Sequence, residues 1–82
     1  MLAPIRILIV DDEALCRDAL RIFLSTGCPE AAIVGDAASV AEATERLNDL
    51  SPDLILLDVD LGDGTGFDLL DRFFRPNFKV IF

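Results

Sequence analysis

Ile5-Arg6-Ile7-Leu8-Ile9-Val10-Asp11-Asp12 and Leu54-Ile55-Leu56-Leu57-Asp58 are the two stretches that decide how this chain folds. Each is an almost continuously apolar run that stops at aspartate. Such runs suit central strands covered on both faces, as in parallel sheets. Between them, Leu15, Ala19, Ile22 and Phe23 recur at i, i+4, i+7 and i+8 and predict a core-facing helix, ended by Gly27 and Pro29. Ala31-Ala32-Ile33-Val34 predicts a short strand closed by Gly35-Asp36. Ser39 and Glu42 then have the spacing of a capping box, opening a second helix that buries Val40, Ala43, Leu47 and Leu50.

Beyond Asp58, Gly62-Asp63-Gly64-Thr65-Gly66 reads as a glycine-punctuated loop. Thr65 and Asp68 can cap a third helix, with Phe67, Leu70, Phe73 and Phe74 as its apolar positions and Pro76-Asn77 as its end. Phe78-Lys79-Val80-Ile81-Phe82 predicts a fourth strand. The order β-α-β-α-β-α-β with short connections predicts an α/β fold, a doubly wound parallel sheet with right-handed crossovers. All strand C-termini of such a sheet lie on one edge. With the third strand beside the first, as in the 2-1-3-4-5 order, Asp11, Asp12 and Asp58 converge at the topological switch point, where these folds bind ligands.

Composition narrows the chemistry. The 82 residues carry 15 acids against 7 bases, a net charge of −8. Such a surface repels phosphate backbones and anionic lipids, so no direct nucleic-acid or membrane binding is expected of this segment. Cys16 and Cys28 lack metal-ligand spacing and no histidine complements them, so free thiols in a reducing compartment are expected. No apolar run approaches the ~20 residues of a membrane span and no signal peptide is evident, which points to the cytoplasm. The phenylalanines at helical spacing read as core, the arginines as solvated helix faces, and the cysteines as small packing residues.

Three carboxylates brought together repel one another unless a cation joins them. Hard oxygen donors in this number suit Mg²⁺, with water or phosphate oxygens completing its shell. An aspartate beside such an ion is a natural covalent acceptor of a phosphoryl group. The plainer reading is local: acids in a helix's first turn are favoured by its dipole, and an aspartate after a strand is often a turn residue. The joint pattern, two apolar strands each ending in acid on one edge, favours the site.

Ile7-Leu8-Ile9-Val10-Asp11-Asp12-Glu13 and Pro52-Asp53-Leu54-Ile55-Leu56-Leu57-Asp58-Val59-Asp60-Leu61 closely resemble the two signature blocks of bacterial response-regulator receiver domains. The resemblance runs through residues 1–82 and implies a flavodoxin/CheY-like fold, truncated after the fourth strand and incomplete at the C-terminus. It implies that Asp58 is the phosphoacceptor, that Asp12 ligates Mg²⁺ directly, that Asp11 acts mainly through water, and that the Asp60 backbone carbonyl supplies a further ligand. It further implies a sensor histidine kinase as phosphoryl donor and no enzymatic turnover beyond self-phosphorylation and dephosphorylation. Two positions depart from the pattern: Gly62 replaces the usual proline and Thr65 the usual Asp or Asn. The stretch from Asp63 to Leu70 with Phe78–Phe82 is most similar to receivers of the LytTR class, which implies a transcriptional regulator with a downstream DNA-binding domain. The family's strand-four Ser or Thr and strand-five Lys lie outside this sequence, so an exposed fourth-strand edge and self-association through it are expected.

Other patterns compete for the same residues. An EF-hand loop beginning at Asp58 fails in register, because its twelfth position is Leu69 rather than glutamate. Haloacid-dehalogenase-like phosphatases also use an aspartate after an apolar strand with a second two residues on, as Asp58 and Asp60 are spaced. That alternative leaves Asp11 and Asp12 without a role. A third reading is a receiver-like interaction module without phosphotransfer.

Overall fold

The computed structural model describes residues 3–73 and 77–82. Its elements are β1 (Ile5–Val10), α1 (Ala14–Gly27), β2 (Ala31–Ala37), α2 (Val40–Leu50), β3 (Leu54–Leu57), α3 (Gly66–Asp71) and β4 (Lys79–Ile81). The four strands form one parallel sheet in the order β2-β1-β3-β4. The expected alternation and strand order are both present, and β1 is buried from Ile7 to Val10.

One face of the sheet carries the main core. Leu8, Val10, Ile55 and Leu57 pack with Ala37, Val40, Ala43 and Leu47 at the α2 side and with Leu61 and Leu69 of the α3 region. α2 buries Val40, Ala43 and Leu47, as its spacing predicts. Its first turn is capped twice. Ser39 Oγ accepts from the Glu42 N–H at 3.1 Å, and the Asp63 carboxylate, far along the chain, accepts from Val40 at 2.8 Å and Ala41 at 3.1 Å. Thr65 and Asp68 form a complete capping box on α3.

β2 is longer than its apolar run. Its pairing with β1 slips by one residue between Ile7 and Leu8, so Val34 is accommodated as a bulge and the strand continues through Gly35 and Asp36 to Ala37. Gly35 lies close to α2, since a Cβ there would stand 2.9 Å from Leu50 Cδ1, the end of a side chain that can turn aside. Asp36 tolerates its place because Arg21 donates to it at 3.2 Å and Arg17 lies 3.8 Å away. Those two arginines are therefore half-buried partners rather than freely solvated.

The helical stripe of α1 is a clearer correction. Leu15, Ile22 and Phe23 are exposed at 81%, 65% and 73%, and Ala19 is exposed as well. The helix instead meets the sheet through Arg17, Leu20, Arg21 and Leu24, all half-buried. Spacing identified an apolar face but not the face nearest the sheet. Phe67 is likewise 56% exposed, stacking at 5.0 Å on Phe82, while Leu69 holds the buried position of α3. Phe73 does pack against the core, edge-on to Phe78 at 5.7 Å. Phe74 and Pro76 lie outside the described residues, and α3 ends at Asp71, earlier than Pro76-Asn77 implied. Cys16 is exposed rather than packed, and Cys28 is half-buried; both are free thiols.

Gly66 opens α3 against the strand that precedes the loop. A Cβ there would lie 2.7 Å from the Asp58 carbonyl and 3.0 Å from Leu57 Cγ. Backbone cannot yield as a flexible side chain does, so G66A is expected to lower stability by about 1–3 kcal/mol. F23S, on the exposed stripe, is expected to change it by less than about 0.5 kcal/mol. Urea melts of the two variants check this pair, and equal losses would refute the burial assignment. The cap on α2 adds a pH dependence. Hydrogen bonds from Val40 and then Ala41 hold the Asp63 carboxyl below the usual carboxylate range. Its contribution is fully present above its unfolded value of about 3.9 and is lost as pH falls through the depressed folded value. Urea midpoints measured through that acid range should fall less steeply for D63N than for the wild type.

Candidate acidic phosphoacceptor site

The strand ladder positions the acids. Asp58 N–H donates to the Val10 carbonyl at 2.9 Å and Asp11 N–H to the Ala37 carbonyl at 3.1 Å, so pairing continues one residue past each apolar run. The two aspartates are thereby fixed side by side at the C-terminal edge, where β1 has β2 on one flank and β3 on the other. Carboxylate oxygens of Asp11, Asp12 and Asp58 all lie within 4.8 Å of one another. Asp11 and Asp58 are half-buried and Asp12 is exposed. Three of the four residues expected at the site are thus brought together.

Asp60, the fourth, is not in that group. Its side chain turns back on its own loop, with Oδ1 accepting the Gly62 N–H at 3.1 Å, and its backbone bridges to Thr65. The backbone carbonyl is the atom the resemblance assigns to a metal, so an engaged side chain is compatible with that role. It does not suit the acid/base role that a dehalogenase-like site gives the second aspartate. Gly62 takes φ +81°, a conformation that favours glycine and that proline, with φ near −65°, cannot adopt. This gives a backbone reason for the departure noted there.

Nearby groups support the acids without neutralising them. Asp11 Oδ1 accepts the Glu13 N–H at 2.9 Å, which steadies the entry to α1. Local capping and a cation site are therefore both available to Asp11. Arg17 Nη1 donates at 2.7 Å to the Asp11 backbone carbonyl, not to its carboxylate. Among the described residues the ion pairs involve Asp36 and Glu42, and none reaches the three acids. The Cys16 thiol reports the resulting field: loss of hydration raises its pKa, and the charges of Asp11, Glu13, Asp58 and Asp12 raise it further. A cavity of about 310 Å³ adjoins the site, lined by Leu20, Leu56, Ile81 and Phe82 among others, with Asp11 and Asp58 as its charged members. Exclusively hard oxygen donors, one of them open to solvent, fit a hard divalent cation that keeps part of its water shell.

Sequence spacing did not reveal two contributors to this edge. Arg17 and the long-range cap Asp63 act through contacts set by the fold, and only the topology shows them. No helix among the described residues is long and apolar enough to cross a membrane.

Comparison with known proteins gives a consistent picture. The response regulator receiver domain family profile matches residues 7–82. The sensory transduction protein LytT of Enterococcus faecalis is 47% identical over 66 residues, which cover 80% of this chain and 27% of LytT. A protein-glutamate methylesterase/protein-glutamine glutaminase of Rhizobium johnstonii is 38% identical over 72 residues, covering 88% of this chain and 20% of that protein. The crystal structure of the response regulator domain of Thermotoga maritima CheB superposes with a TM-score of 0.85 at 31% identity, over 94% of this chain and 57% of that one. The chain therefore spans between about a fifth and two fifths of the length of the curated relatives it matches. With its parallel sheet, its strand order and its acidic edge, this chain belongs to the response regulator receiver domain family, the regulatory phosphoacceptor domains of two-component systems.

Proposed function

We propose that Asp58 of this chain accepts a phosphoryl group from a histidine kinase, with Asp11, Asp12, Asp58 and the Asp60 backbone carbonyl holding Mg²⁺. The observation that carries this reading is the meeting of three carboxylates within 4.8 Å at the switch-point edge, beside a strand-terminal aspartate. An Asp58 carboxylate oxygen forms the new P–O bond as the donor's P–N bond breaks, and the proton needed by the leaving imidazole comes from solvent. Held by these residues, Mg²⁺ would offset the negative charge of the entering phosphoryl group. The ladder hydrogen bond of Asp58 and the close approach of Gly66 to its carbonyl hold its backbone in place, which supports the acceptor role. Asp12 is the solvent-facing ligand and Asp11, tied to Glu13, the more rigid one.

Residues 1–82 in this reading form the N-terminal part of a receiver that works in the cytoplasm as a switch. Single labelling rather than turnover is its chemistry. The likeness to LytT supports a place in a transcriptional regulator of the LytTR class, with DNA binding supplied by another domain. The outer position of β4 in the sheet supports self-association through that strand's edge.

NMR titration of the chain with Mg²⁺ and then beryllofluoride or acetyl phosphate tests the site. Amide shifts are expected at Asp11, Asp12, Asp58 and Val59, and D58N should abolish the response to beryllofluoride. D12N should weaken Mg²⁺ binding roughly tenfold or more, because it removes one full charge at contact range. Unchanged signals at Asp12 and Asp58 in the wild type would favour the interaction module, and sustained phosphomonoester turnover would favour a phosphatase.

A further inference from the structure

Asp63 stands outside the acidic group, yet it joins two parts of the fold. Its Oδ1 accepts the Val40 N–H at 2.8 Å and its Oδ2 the Ala41 N–H at 3.1 Å. The first turn of a helix leaves such donors without intrahelical partners. Ser39 Oγ already takes the Glu42 donor at 3.1 Å, so α2 has a local cap and a second one delivered by the loop that follows Asp58. The two caps divide the donors between them, and only one of them reaches beyond α2.

That loop is tied internally as well. Gly62 N–H meets Asp60 Oδ1 at 3.1 Å, Asp63 N–H the Leu61 carbonyl at 2.9 Å, and Leu61 N–H the Gly64 carbonyl at 3.0 Å. Leu61 is buried in the core at 2% exposure, and Gly66 N–H closes the loop onto the Val59 carbonyl at 2.7 Å. Gly64 lies so close to α2 that a Cβ would stand 3.1 Å from Val40 Cγ2. Leu61 anchors one side of the loop in the core, and Asp63 anchors the other side to α2. The Asp60 carbonyl is carried between Asp58 and these two anchors.

We infer that Asp63 is a positioning residue: its carboxylate fastens the Asp60-bearing loop to the first turn of α2, and so couples divalent-cation binding at the acidic edge to the order of that turn. The inference rests on the Mg²⁺ site proposed above and assigns it a residue and a route of communication. Coupling of this kind is reciprocal. Mg²⁺ therefore orders the start of α2 to the extent that an ordered α2 favours Mg²⁺.

The test compares the 82-residue wild type with D63A, D63N and S39A, using amide hydrogen exchange and Mg²⁺ titration followed by amide shifts. S39A removes a cap from the same helix without touching the loop, and D63N keeps one acceptor oxygen should D63A fold poorly. Without Mg²⁺, D63A is expected to speed exchange at Val40 and Ala41 and also at Leu61 and Gly66 by roughly fivefold, the scale of a lost cap, whereas S39A should speed it within α2 alone. Mg²⁺ should slow exchange at Val40 and Ala41 in the wild type. Its affinity should fall by roughly fivefold in D63A, by less in D63N, and by less than about twofold in S39A. Equal affinity losses in S39A and D63A would reduce Asp63 to an ordinary cap and overturn the inference. So would wild-type affinity in D63A or unaltered loop exchange, with the Mg²⁺ site itself left standing. A wild type that binds no Mg²⁺ overturns the reading of the site and the coupling together.

Discussion

Pairing between neighbouring strands continues past their last apolar residues, and the site depends on that continuation. Asp58 N–H is still bonded to Val10 and Asp11 N–H to Ala37, so the backbone holding the acids is as fixed as the sheet. While those ladder bonds persist, Asp11 and Asp58 stay neighbours, and like charges on them repel. Burial of Leu8, Ile9, Val10 and Ile55, each at no more than 1% exposure, opposes this repulsion. Each contributes about 1.5–3 kcal/mol by leaving water. An apolar strand ending abruptly in acid thus carries both the force that builds the edge and the charge that makes it useful.

What could be read from the chain follows from how local each determinant is. Ile7–Val10 and Leu54–Leu57 announce themselves as buried strands, and alternation with helices predicts the parallel sheet in which a third strand beside the first brings Asp11, Asp12 and Asp58 together. Ser39 and Thr65 are legible as caps because their partners lie three residues away. Leu15, Ile22 and Phe23 mislead for a physical reason. A period of 3.6 identifies an apolar face of a helix, but what that face touches depends on elements elsewhere. Here α1 turns Leu20 and Leu24 toward the sheet and leaves the stronger stripe exposed. Gly35-Asp36 misleads in the opposite direction. Turn-forming residues by type, they remain in β2 because a bulge, a close Leu50 and two arginines make the strand the better place for them. Asp63 could not be read at all, since its partners are 22 and 23 residues distant.

Positive charge near the acids is arranged to leave them uncompensated. Arg17 is close enough to bond the Asp11 carbonyl, and a different rotamer could aim a guanidinium at a carboxylate. Asp36 on β2 instead faces both arginines, 3.8 Å from Arg17 and 3.2 Å from Arg21. A standing salt bridge at the edge would be comfortable for the apo protein and would compete with any cation that has to come and go. With Arg17 directed to a backbone carbonyl and to Asp36, the edge keeps its fixed geometry without an ion pair to its three carboxylates. Structural support and electrostatic neutralisation are thereby separated, as the divalent-ion site proposed for this edge would require.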